Sequence, residues 1–268
     1  MKLGFIGGGN MAYAILSGVL AADLYKNTDI YVSDPSEAAL EKFKVLGVNA
    51  DVDNKNVLNA DIIVLAIKPF IYQAALSALA SAAGKESLKD KVFVSIAAGI
   101  STKDVKEYIG FDAKVIRVMP NTPAMVLEGM SVLAAECAPA DEEEFSKVKQ
   151  IFEAIGKVEV LSEKLLNSVI AVSGSSPAYV YMLIEAMADG AVRDGIPRDK
   201  AYKLAAQSVL GSAKMVLESD KHPGELKDMV CSPNGTTIEA VSELEKNGFR
   251  NSILEAMRAC TEKANSIK

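Results

Sequence analysis

Six residues near the start of the chain, Gly7-Gly8-Gly9-Asn10-Met11-Ala12, constrain its fold more than any other feature. They fit the pattern G-x-G-x-x-A and follow a short apolar run at 2–6. They also open a stretch at 10–22 whose Met11, Ile15, Val19 and Ala22 share one helical face. A strand, a glycine turn and a helix in that order distinguish a dinucleotide-binding turn from an ordinary glycine-rich one. Each position has a physical task. Gly7 allows the tight turn, Gly9 lets the backbone approach a pyrophosphate, and Ala12 lets the helix lie close on the strand. The unbonded N–H groups of the helix start then face the pyrophosphate. Ile6, Gly7, Gly8, Gly9, Asn10 and Met11 are therefore candidate cofactor-binding residues.

Beyond the turn, strand and helix patterns alternate. Runs at 30–33, 62–67, 91–96 and 114–118 read as strands, the continuous apolar ones buried on both faces, with helical stretches at 37–46, 71–82 and 101–108. Two further runs, 130–134 and 157–161, flank a helix that begins after Pro139. The expectation is an α/β fold: a Rossmann-type, doubly wound and mainly parallel sheet over residues 1–161. From 162 to 268 no strand pattern is found. The stretch 177–192 is apolar nearly all round, and 199–217 and 251–267 carry amphipathic stripes. A helix apolar on every side must be buried on every side, and about a hundred residues rarely enclose one alone. Residues 162–268 are thus expected to form an all-α dimerisation domain, completed by a second copy of the chain.

Composition removes several classes. The formal charge is −6 and no Lys/Arg cluster marks a nucleic-acid face. No apolar run reaches spanning length, and glycines and Asn10 interrupt the opening stretch before a signal h-region forms, so a cytoplasmic chain without a membrane partner is expected. Cys137, Cys231 and Cys260 are odd in number and scattered, which argues against a disulfide framework or a zinc site. The single histidine, His222, precedes Pro223 and reads as a helix cap; nothing nearby marks it as a base. No metal site is expected.

In an open α/β sheet the carboxyl ends of the strands line the ligand crevice. Four such ends carry candidates. At Ser33-Asp34-Pro35 two readings stand: Asp34 binds the adenosine ribose hydroxyls, which favours NAD(H), or it caps the next helix while Ser33 and Asn54 hydrogen-bond a 2′-phosphate. Ala66-Ile67-Lys68-Pro69 contributes Ala66, Lys68 and Pro69. Small residues at Ala97-Ala98-Gly99 would let a flat nicotinamide lie against the backbone, and Asn121 and Thr122 in Met119-Pro120-Asn121-Thr122-Pro123 could bond its carboxamide. Two irregular stretches interrupt the helical half. Residues 173–179, with Ser175 and Ser176, break two helices. In Cys231-Ser232-Pro233-Asn234-Gly235-Thr236-Thr237-Ile238-Glu239, Thr236 and Glu239 have the spacing of a capping box, with Thr237 at the first helical position. A helix start of this kind also holds carboxylates.

These segments, in this order, make the chain resemble pyrroline-5-carboxylate reductases over its whole length. The resemblance rests on residues 5–12, 66–69, 119–123, 173–179, 222–228 and 231–238. It implies a Rossmann domain followed by a helical domain interlocked with a partner subunit, as a dimer or a multiple of dimers. The reaction implied is reduction of (S)-1-pyrroline-5-carboxylate to L-proline, with NADP(H) favoured and NAD(H) also compatible. Carried over, Ser232, Thr236 and Thr237 form the carboxylate pocket, the Thr237 hydroxyl contacts the ring nitrogen as the catalytic candidate, and Ser175 and Ser176 lie beside the substrate. Asn234 stands where the family more often has glycine; asparagine is the residue that best replaces glycine in a left-handed turn. Two other readings compete. A β-hydroxyacid dehydrogenase would need Lys214 as its acid, and a non-catalytic dinucleotide sensor would bind cofactor without turnover.

Overall fold

The computed structural model describes residues 1–136 and 141–267, so Cys137 and Pro139 lie outside the described residues. Among the described residues eight strands form one sheet: β1 (Leu3–Ile6), β2 (Ile30–Ser33), β3 (Asn49–Asp51), β4 (Ile62–Leu65), β5 (Val92–Ser95), β6 (Lys114–Met119), β7 (Gly129–Ala134) and β8 (Gly156–Leu161). Their order is β3-β2-β1-β4-β5-β6-β7-β8. The first six are parallel, β7 runs antiparallel to β6, and β8 is parallel to β7. The order reverses between β1 and β4, the place where open α/β sheets bind dinucleotides.

The central strands are fully buried because successive side chains feed two apolar layers. Phe5, Ile62, Val64, Val92 and Val94 point into one layer, which α1 (Asn10–Ala21) and α2 (Glu37–Val45) cover with Ile15, Leu16, Leu40 and Phe43. Ile6, Ile63, Leu65 and Phe93 point into the other, covered by Tyr72, Leu76 and Leu79 of α3 (Tyr72–Ala83), Leu88 of α4 (Lys85–Leu88), and Val105 and Ile109 of α5 (Thr102–Ile109). A further helix, α6 (Glu142–Glu153), adds Val148, Ile151 and Phe152 to the first layer. The sequence pattern did not reveal β3. It is a three-residue edge strand with no buried side chain, so it carries no apolar signature.

The remaining helices are α7 (Leu166–Val169), α8 (Ser176–Arg193), α9 (Arg198–Glu218), α10 (Pro223–Val230), α11 (Thr236–Lys246) and α12 (Phe249–Asn265), with a π turn at Ile170–Gly174 between the first two. By contact the chain divides into Met1–Ser175 with the stretch from Cys260 onward, and Ser176–Ala259. This differs from a boundary after residue 161, because Leu166, Val169, Ile170 and Ala264 all pack into the first apolar layer of the sheet. In the second unit few side chains are covered: Pro177, Ala188, Ala201 and Ala205 are buried, whereas Tyr181 and Met182 of α8 are 60% and 69% exposed.

The helical stretch Glu163–Arg193 is long and apolar enough to cross a membrane by length and composition. No unbroken apolar run of that length stands in the sequence, because serines at 173, 175 and 176 interrupt it; the π turn takes in Ser173 and α8 resumes at Ser176.

Candidate active site

The glycine turn forms for reasons visible at each position. Gly7 has φ +102, and a Cβ there would sit 2.5 Å from the Ala66 carbonyl oxygen, so both conformation and space require glycine. Its N–H donates to the Ser33 carbonyl at 2.7 Å, which ties β1 to the end of β2. Gly9 is different. It is the extended N-cap of α1, and a Cβ built on it would meet no protein atom within 4 Å. The first turn of α1 has no side-chain cap and no acidic residue. A bare cradle and unbonded N–H groups at the positive end of a helix suit an anionic pyrophosphate.

The turn opens into a cleft of about 1230 Å³ along the carboxyl ends of the sheet. Ile6, Gly7, Gly9, Asn10 and Met11 line its middle, Ser33, Asp34 and Asn54 one end, and Ala66, Lys68, Pro69 and Ala97 the other. Gly8, Gly99 and Asn121, also expected at the cofactor, are not among the residues that line it. Gly8 donates its N–H to Asp34 Oδ2 at 2.8 Å. Asn121 is committed to the fold: Oδ1 accepts from the Met130 N–H at 2.8 Å and Nδ2 donates to the Ser173 carbonyl at 3.0 Å. Its amide joins the end of β6 to the start of β7 and to the π turn.

Asp34 has a role that neither sequence reading described. Its two oxygens accept from Gly8 N–H (2.8 Å) and Ser36 N–H (2.9 Å), clamping the glycine turn to the end of β2. The cap of α2 is instead Ser36, whose hydroxyl accepts from Ala39 N–H. Beside Asp34, the Ser33 hydroxyl donates to Asn54 Oδ1 at 2.7 Å. Lys55 lines the same end and was missed in the sequence, where β3 and the 3-10 turn Asn54–Asn59 give no regular pattern. Ala75, Ala78 and Ala82 of α3 also line the cleft; their helical spacing of small residues is the signal that could have found them.

Beneath the β4 and β5 ends lies a buried polar pair. Tyr72 donates to the Leu65 carbonyl at 2.7 Å and accepts from Ser95 Oγ at 3.2 Å. Burial pushes its phenol up to about 12, outweighing the hydrogen bond from Ser95, so Tyr72 is neutral at physiological pH. Its hydroxyl is spent on the Leu65 carbonyl and the Ser95 hydroxyl, which makes it a structural post between the ends of β4 and β5.

In the helical unit, Ser232-Pro233-Asn234-Gly235 forms a turn in which Gly235 N–H donates to the Ser232 carbonyl at 3.0 Å and Asn234 has φ +57. Proline second and a left-handed residue third is the pattern of a type II turn, and asparagine fills the left-handed position. The turn ends one residue earlier than the capping-box reading implied. Gly235 is the N-cap of α11 with no side-chain cap, so Thr236 and Thr237 are its first two helical residues and the Thr236–Glu239 box is not formed. His222 caps α10, its Nδ1 accepting from Gly224 N–H at 3.0 Å. Lys214, the acid a hydroxyacid dehydrogenase would need, is two-thirds exposed on α9 and pairs with Glu218.

Two family profiles divide the chain between them. Residues 2–99 match NADP oxidoreductase, coenzyme F420-dependent, and residues 163–267 match pyrroline-5-carboxylate reductase dimerisation. Over 270 aligned residues the chain is 49% identical to the pyrroline-5-carboxylate reductase of Escherichia coli (strain K12), covering 99% of this chain and 98% of that one. The chain belongs to the pyrroline-5-carboxylate reductase family. The Synechocystis member is 42% identical, covering 100% of this chain and 98% of its own. A crystal structure of the Plasmodium falciparum pyrroline carboxylate reductase with NADP bound superposes with a TM-score of 0.90 at 32% identity, covering 100% of this chain and 98% of that one. The bare Gly9, the uncapped start of α1 and the Ser33–Asn54–Lys55 end of the cleft fit the pyrophosphate and the phosphorylated ribose of such a cofactor.

Proposed function

We infer that this chain reduces (S)-1-pyrroline-5-carboxylate to L-proline with NADPH, and accepts NADH as a second donor. The observation that carries the reading is a complete dinucleotide cleft in a chain similar over its full length to these reductases. When bound, the reduced nicotinamide supplies a hydride. The chain's residues supply placement. Gly7, Gly9 and the N–H groups of Asn10 and Met11 hold the pyrophosphate. Asn54, held in place by the buried Ser33 hydroxyl, and the Lys55 cation hold the 2′-phosphate end, where Asp34 is already engaged by two N–H groups. Ala66, Lys68, Pro69 and Ala97 border the nicotinamide half, Gly99 and Asn121 shape the loops after β5 and β6, and Gly8 ties the glycine turn to Asp34.

An imine asks little of acid–base machinery. The C=N π pair moves to the ring nitrogen as the C–H bond forms, and that nitrogen already carries its proton. No alkoxide is produced, so no strong acid is required. In this reading Ser232, Thr236 and Thr237 take the substrate carboxylate at the uncapped start of α11, the Thr237 hydroxyl contacts the ring nitrogen, and Ser175 and Ser176 lie beside the ring. Residues 1–161 hold the cofactor, and residues 162–268 supply the substrate groups and the self-association surface. The exposed apolar side chains of α8 support a homodimer, or a multiple of dimers, as the working form. The chain works in the cytoplasm without a nucleic-acid or membrane partner.

The test is oxidation of NADPH or NADH by the purified protein on addition of racemic pyrroline-5-carboxylate, with L-proline identified as product. Cofactor binding without oxidation would replace this reading with that of a dinucleotide sensor.

A further inference from the structure

Gly99 follows the cleft residues Ala97 and Ala98 in the loop between β5 and α5, and has φ +76. The space its side chain would take is filled from far along the chain: a Cβ there would lie 2.6 Å from Ile267 Cβ, 2.7 Å from Ile267 Cγ2 and 3.4 Å from the Ala264 carbonyl oxygen. Ile267, two residues beyond α12, therefore presses directly on the backbone of this loop. It is anchored there by its neighbours. Ala264 is buried, Asn265 Oδ1 accepts from Asn167 Nδ2 at 3.0 Å, and Cys260 Sγ lies 3.2 Å from Ser175 Oγ in a hydrogen bond. Asn167 in turn accepts from buried Arg117 at 2.7 Å. Glu163, 3.6 Å from Arg117, accepts from both Thr102 N–H (2.8 Å) and Thr102 Oγ1 (2.7 Å), which fixes the exit of the same loop into α5. The loop is thus held at Gly99 by apolar contact and at Thr102 by a charged network.

We propose that Ile267 is a positioning residue for hydride transfer: residues 260–267 buttress the Gly99 loop and set the depth of the nicotinamide end of the cleft. The proposal rests on the reading of Ala97 and Ala98 as the wall beside the nicotinamide. That assignment follows from the layout of the cleft, since the Ser33–Asn54–Lys55 end suits the adenosine ribose and the two halves of a dinucleotide lie on opposite sides of the strand-order reversal. A wall displaced by a fraction of an ångström leaves the adenosine half untouched and misplaces the reacting carbon, to which transfer rates are steeply sensitive.

The experiment compares Ile267→Gly, which empties the contact, with Ile267→Val, which keeps Cβ and Cγ2. Binding of NADPH and of adenosine 2′,5′-bisphosphate, the adenosine half alone, is measured for each full-length protein, together with kcat. Ile267→Gly is expected to weaken NADPH by about fivefold or more, leave the bisphosphate within about twofold, and lower kcat by about tenfold, while Ile267→Val matches wild type. Equal weakening of both ligands, or no change in either, overturns the proposal. If the wild-type protein binds NADPH but does not oxidise it with pyrroline-5-carboxylate, the functional reading fails, and the two binding constants still decide the role of Ile267.

Discussion

Replacing Gly9 with alanine should separate folding from cofactor binding. The φ of Gly9 is −72, ordinary for alanine, and the new methyl meets no protein atom within 4 Å. The free protein then loses only the preference for glycine over alanine at an N-cap, about 1 kcal/mol, or a melting shift of roughly 2–4 °C. The same methyl occupies the space through which the pyrophosphate reaches the start of α1. Two charge-assisted hydrogen bonds lost at roughly 1.5–3 kcal/mol each amount to about 3–6 kcal/mol, or roughly two to four orders of magnitude in Kd. Gly7→Ala is the contrasting control. Its Cβ would lie 2.5 Å from the Ala66 carbonyl in a left-handed backbone, costing the fold about 2–5 kcal/mol before any ligand is added. The assay is thermal unfolding without cofactor, paired with NADPH titration read by nicotinamide fluorescence; the chain has no tryptophan to interfere. If Gly9→Ala binds NADPH within about threefold of wild type, the helix start is not the pyrophosphate site.

Thr237→Ala should lose most of its turnover while its NADPH Kd stays within about twofold of wild type; parallel loss of both in titration and steady-state assays would remove Thr237 from the substrate pocket. Tyr72 and Tyr25 both have phenols raised from 10.0 to about 12, chiefly by burial. A raised folded pKa gives stability that is complete below pH 10 and is lost as pH climbs through 12, so denaturation midpoints should fall across that window and fall less in Tyr72→Phe. Met182→Glu places a charge on the exposed apolar face of α8 and should shift sedimentation from dimer or larger to monomer, with the Rossmann unit's NADPH binding retained; an unchanged sedimentation coefficient would place the interface elsewhere.

The turns and caps around the candidate site could be read along the chain because their causes are local. Gly7 needs its left-handed φ wherever the turn occurs, Asn234 needs its own for the turn before α11, and His222 caps α10 through a bond to Gly224 two residues away. What was missed depends on partners distant in sequence. The Asp34 carboxylate answers to Gly8, 26 residues earlier, and so serves as a clamp and not as the cap of its own helix. Asn121 is drawn to Met130 and Ser173, and no pattern around residue 121 foretells that commitment.

The sequence by itself determined the class of fold, the strand–turn–helix that binds a dinucleotide, and the all-α second half, since each follows from a period or a turn preference acting over a few residues. Only the tertiary structure decided how the cleft is supported. It brought in β3 as an edge without buried side chains, set Lys55 in the lining of the same cleft as Asn54, and pressed Ile267 into the space left by Gly99. The reason is physical: a glycine's missing side chain can be written at position 99, but what fills the vacated volume depends on packing between segments more than 160 residues apart.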